Sequence, residues 1–163
     1  TEVSDSRPPE YISTVEYTLS PMEGGPSVVL TFSDLDGIEC NDPIITGGTL
    51  QANQTYTGSL LLIDDTKAFP EVVMEEITGD DDQYQFFFEV DTTYLQVSCN
   101  DEDKNGDPLG LETILTTGNP GAIQLKITLL KYLNKSAEGV AEGDITYATG
   151  DERSEVIFPI QIE

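Results

Sequence analysis

The chain has 163 residues, of which 31 are Asp or Glu, 7 are Lys or Arg and none is His, for a formal net charge of -24. Such an acidic surface repels nucleic acid and anionic membranes and excludes both as partners, while 37% hydrophobic residues with 7 Tyr and 6 Phe set the chain apart from a disordered acidic one. The length suits one domain with a sizeable core, and no apolar run reaches the roughly 20 residues of a membrane helix, so direct membrane insertion is not expected.

Residues 1–10, TEVSDSRPPE, read as a flexible leader, polar and carrying a Pro pair. From residue 11 onward the dominant signal is period-two alternation, the pattern of a half-buried strand. ISTVEYTL (12–19) is the first strand candidate and SVVLTF (27–32) the second, with the turn PMEGGP between them. The acidic loop SDLDGIECNDP follows, carrying Asp34, Asp36, Glu39, Cys40 and Asp42, and then the turn TGGT. TYTGSLLLI (55–63) is a strand, whereas KAFPEVVMEEI (67–77) is the best helical candidate, interrupted by Pro70.

After the acidic turn TGDDDQ come YQFFFEV, with Tyr84, Phe86, Phe88 and Val90 on one face, and YLQVSC, ending at Cys99. The last two strands are AIQLKITLLKY, with Ile123, Leu125, Ile127 and Leu129 in line, and SEVIFPIQI, with Val156, Phe158, Ile160 and Ile162. Many short strands with Gly/Pro turns predict an all-β protein, an antiparallel immunoglobulin-like sandwich of about seven to nine strands. The expected organisation is a single domain over residues 11–163, without the Trp that marks true immunoglobulin domains.

Between YLQVSC and TILTTG lies DEDKNGDPLGLE (101–112), which has the Asp-x-Asp-x-Asn-Gly-x5-Glu spacing of a calcium loop. In that reading Asp101, Asp103 and Asn105 supply side-chain oxygens and Asp107 a carbonyl. Leu109 leaves its position to water, and Glu112 closes the loop with two oxygens. Gly106 stands where the chain must turn with positive φ. Pro108 and the strand-like flanks depart from a helix-loop-helix site, and the plain alternative is a solvated Asp/Asn/Gly turn. Calcium is the expected cofactor, because carboxylates crowded this closely repel one another without a cation.

An even cysteine count predicts one disulfide, Cys40–Cys99, and an oxidising compartment, with two free thiols as the alternative. That bridge would bring the loop of Asp34 and Asp36 to the 101–112 loop, where the two could share a metal. The run GDDDQ (79–83) reads as a solvated hairpin tip.

The D-x-D-G loop at 34–37, the acidic run before QFFF, NDEDKNGDPLGL and the final VIFPIQI together resemble a family of small acidic predicted lipoproteins and secreted proteins of Bacteroidota. The resemblance spans most of residues 11–163 and implies an immunoglobulin-like fold and an exported protein, extracellular or at the cell surface. The cysteine pair and the absence of His depart from the family pattern.

Catalysis is not expected. Without His there is no Ser-His-Asp or Cys-His triad and no ordinary zinc site, and no Gly-rich phosphate loop is present. Two non-enzymatic readings remain. One is a structural subunit that self-associates by β-strand addition into filaments, the N-terminal strand being donated to a neighbour; in the alternative, that strand serves its own domain. The other is a monomeric surface accessory protein that binds a ligand for an outer-membrane transporter.

Overall fold

The computed structural model describes residues 12–34, 42–64 and 71–163. The 1–10 leader lies outside them. Two sheets face each other across one core. The larger holds β1 (Thr14–Pro21), β2 (Val28–Ser33), β3 (Ile44–Thr46), β5 (Thr55–Asp64), β6 (Glu71–Val72), β8 (Leu95–Cys99) and β9 (Glu112–Thr117). Its order is β3-β2-β1-β5-β9-β8, with β6 pairing the end of β5. The smaller holds β4 (Gly48–Leu50), β7 (Tyr84–Glu89), β10 (Gly121–Lys131) and β11 (Asp151–Ile162), in the order β4-β11-β10-β7. All pairs are antiparallel except β4 with β11. The fold is therefore the all-β sandwich that the alternation predicts.

The alternation translates directly into burial. Val15, Tyr17 and Leu19 of β1 face Leu125, Ile127 and Leu129 of β10 and Val156, Phe158, Ile160 and Ile162 of β11 in one buried cluster. β1 lies between β2 and β5 of its own sheet, with Thr14 opposite both Ser33 and Ile63. The helical candidate is reduced to α1 (Met74–Gly79), and 65–70, with Pro70, lie outside the described residues.

Two features escape the pattern. First, β7 is buried on both faces: Gln85 and Phe87 are as inaccessible as Tyr84 and Phe86. The excursion from Tyr132 to Gly150 folds over the outer face of β7 and β10, where Phe87, Leu130, Val140 and Ala148 form a second small core. The Gln85 amide donates to the Val140 carbonyl at 2.9 Å. Secondly, TGGT is no simple turn. β3 and β4 meet at Gly47, where the chain passes from one sheet to the other so closely that a Cβ would lie 2.0 Å from the Pro159 carbonyl oxygen. That crossing closes one side of the sandwich. The opposite side is bounded by β7 and β8, the outermost strands of their sheets.

Candidate functional site

The loop 101–112 is the connection from β8 to β9, so strands flank it as expected. It is drawn in by a bridge between Glu102 and Pro108 and by the Asp103 N–H donating to the Asp107 carbonyl at 2.7 Å. Gly106 takes a φ of 86°, the left-handed turn predicted for it.

The acidic side chains are turned to specific donors. Asp101 Oδ1 accepts the N–H of Gly110 at 2.7 Å, and Oδ2 accepts those of Leu111 and Glu112 at 2.9 and 3.2 Å. One carboxylate thus fixes the far end of the loop where it enters β9. Asp103 Oδ1 accepts the N–H groups of Asn105 and Asp107 at 2.8 and 3.0 Å, an Asx-type closure of the tip. Asn105 and Glu112 are exposed, and Glu112 Oε1 accepts a hydrogen bond from the Ser59 hydroxyl at 3.0 Å. Among the described residues, no three Asp, Glu or Cys side chains converge as they would around a metal ion.

A lysine occupies the inner side of the loop. Lys135, from the Tyr132–Gly150 excursion, places Nζ 2.7 Å from Asp103 Oδ2, 3.1 Å from the Asp81 carbonyl and 3.1 Å from the Pro108 carbonyl. An ammonium has three hydrogens, and here each has an acceptor. The Lys135 and Asp103 side chains are 6% and 0% exposed, so the pair is shielded from water. Burial works against ionisation of Asp103, but the hydrogen bonds from Lys135, Asn105 and Asp107 outweigh it and hold the carboxyl below its ordinary value.

The acidic run at 79–83 is no isolated hairpin tip. Asp81 Oδ1 accepts the Lys104 N–H at 3.3 Å, and the Lys104 ammonium lies 3.5 Å from Asp82. Asp34 is placed elsewhere, at the end of β2; β2 and β8 are separated by β1, β5 and β9. Four strand spacings amount to about 19 Å, so the two acidic loops do not share a cation through Asp34. Asp36 and Cys40 lie outside the described residues.

The expected Cys40–Cys99 bridge is not formed. Cys99 is a free, half-buried thiol. It sits at the end of β8, and Cys40 lies outside the described residues. Burial, with the Asp101 carboxylate adding to it, pushes the Cys99 thiol up to about 11.

Comparison with protein-family models, curated proteins and solved structures finds no match. Chemistry must therefore be read from the chain itself. Beside the loop, between β7 and β8, runs a cleft of about 480 Å³ lined by Phe86, Phe88, Val97 and Cys99 and rimmed by Asp101 and Glu102. No helix among the described residues is long and apolar enough to cross a membrane.

Lys135 and the cleft were missed in the sequence. The signal for Lys135 was scarcity, since a chain with 7 basic residues places two of them, Lys104 and Lys135, at one acidic loop. The cleft left no local signal, because Phe86, Phe88 and Val97 alternate like ordinary core residues.

Proposed function

We propose that this chain is a non-enzymatic structural module of the bacterial cell exterior, a β-sandwich whose 101–112 loop is a clasp held shut by a positive charge. One observation carries this reading: the Lys135 ammonium is enclosed by three oxygens at the inner side of the loop. The clasp ties the β8–β9 connection to the 79–83 turn and the β10–β11 excursion, which are themselves joined by the Tyr132 N–H donating to the Gln83 carbonyl at 2.8 Å. Exterior placement is supported by the acidic composition and by the resemblance to secreted and lipid-anchored proteins, no longer by a disulfide.

Calcium is the second cation suited to this loop. Asn105 and Glu112 are exposed and Asp107 is half-buried, and an ion that gathered their oxygens would compete with Lys135 for Asp103. Thermal unfolding of the wild type and of Lys135→Met, each in millimolar calcium and in excess chelator, tests the clasp. Removing one partner of a buried ion pair costs roughly 3 kcal/mol, or about 10 °C in Tm for a domain of this size. The variant should lose that much in chelator and regain part of it in calcium, because an ion that binds only the folded loop stabilises it. Equal melting of the two proteins in chelator would sink the clasp. A variant that melts low and ignores calcium would leave lysine as the only cation of the loop.

The cleft favours a second reading, a surface module that binds a ligand. Self-association by strand addition through β1 would put a neighbour's first strand in the slot between β2 and β5 that β1 fills in its own sheet.

A further inference from the structure

The side of the sandwich away from Gly47 ends in two strand edges with hydrogen-bonding groups that no partner among the described residues takes up. In an antiparallel pair, alternate residues of each strand direct N–H and C=O to the partner and the others direct theirs away. Asn100 donates to the Glu112 carbonyl, and Gly118 donates to that of Tyr94. In the β8–β9 register, which sets Val97 opposite Leu115, Gln96 and Ser98 therefore bond to β9. Val97 and Cys99 direct both backbone groups outward. On β7, Phe86 donates to the Leu109 carbonyl at 2.8 Å, so Phe88, two residues on, also directs its backbone groups away from β10.

Between these edges lies the 480 Å³ cleft, floored by Phe86, Phe88 and Val97. Its rim is acidic: Glu102 and Glu142 both line it and are exposed. An apolar floor, an unpaired edge and an acidic rim together define a complementary ligand. It is extended, so that its backbone pairs with Val97 and Cys99. It alternates, so that every second side chain enters between the sheets. It is basic on the other face. A second copy of this chain is a poor occupant, since each copy carries a net charge of -24 and would meet the acidic rim with like charge.

We propose that the β7–β8 cleft is a docking site for an extended, basic peptide segment of another protein, which adds to β8 as an extra strand of the larger sheet and places apolar side chains against the half-buried Phe88 and Val97. This is β-augmentation, in which main-chain bonds provide affinity and the pocket for alternate side chains provides specificity.

The test uses the full chain and three seven-residue peptides. The first alternates lysine and valine, the second has the same composition with its lysines and valines in blocks, and the third repeats the first with N-methyl groups on the bonding amides. Binding is read by fluorescence anisotropy at physiological salt, and its location by the amide resonances of the chain. The alternating peptide should bind, shifting the amide resonances of Phe88, Val97 and Cys99 and slowing hydrogen exchange of the last two. The blocked and methylated peptides should not. Glu102→Lys with Glu142→Lys, two exposed changes outside the core, should weaken binding about fivefold, as expected for two rim charge pairs. Equal binding of the alternating and blocked peptides shows attraction to net charge alone and overturns the proposal. So do shifts confined to other strands, unchanged affinity in the double variant, or no binding. A rise in mass with protein concentration accompanied by the same shifts at Val97 and Cys99 assigns the cleft to a second copy, which overturns it equally.

Discussion

At the scale of single residues, the site is governed by one buried ion pair. Asp103 is fully shielded, and its carboxylate is held by an ammonium and two backbone amides. A group whose folded value is lowered contributes stability that is complete above its unfolded pKa, about 3.9 for Asp, and lost as the pH falls through the folded value. The urea midpoint of the wild type should therefore exceed that of Asp103→Asn by a constant amount from about pH 7 to 5, and the gap should close below about pH 4. A gap that persists unchanged into strong acid would mean that ionised Asp103 is not what the wild type gains. The pair was illegible in the sequence because its partners stand at positions 103 and 135, on segments that no periodicity relates. Asp101 was legible as a loop residue, but its partners, the amides of Gly110 to Glu112, depend on how the loop closes.

At the scale of elements, alternation settled most of the strands and missed the short ones. β10 and β11 are long and bury the residues expected of them; β11 alternates cleanly from Glu155 onward, whereas β10 is buried on both faces from Ile127 to Lys131. β3 and β4 have three residues each, too few for a period to show. Their meaning lies in Gly47, a position set by proximity to Pro159. Gly47→Ala would force a Cβ against a backbone oxygen, not against a side chain that can rotate away. A loss of about 1–3 kcal/mol is expected, as for other overpacked sites, read from the denaturant midpoint. An unchanged midpoint would show that the crossing has slack. β7 carries the same lesson: Phe87 looks like the solvent face of an alternating strand and is buried by the Tyr132–Gly150 excursion.

For the whole molecule, the controlling quantity is the net charge of -24. Compact folding concentrates that charge and is opposed by self-repulsion. Raising sodium chloride from about 0.01 M to 0.15 M shortens the screening length from about 30 Å to about 8 Å, so Tm should rise across that range even in chelator. The buried Lys135–Asp103 pair is screened far less and works in the other direction only weakly. A fall in Tm with salt would mean that attractive pairs, not repulsion, dominate the surface. The shared acidity of every copy favours a basic partner over a second copy at the β7–β8 side.

The amino-acid order alone was enough for the all-β class, the main strands, their buried faces and the turn at Gly106, because each depends on neighbours two to five residues apart. It also marked 101–112 as the chemically dense stretch. Tertiary structure decided which groups meet there. It brought Asp81 and Lys135 to the loop, kept Asp34 four strands away and left Cys99 a free thiol. Composition and spacing report which charges a loop contains, but the charge that balances them is chosen by strand order and chain crossings, which bring together residues far apart along the chain.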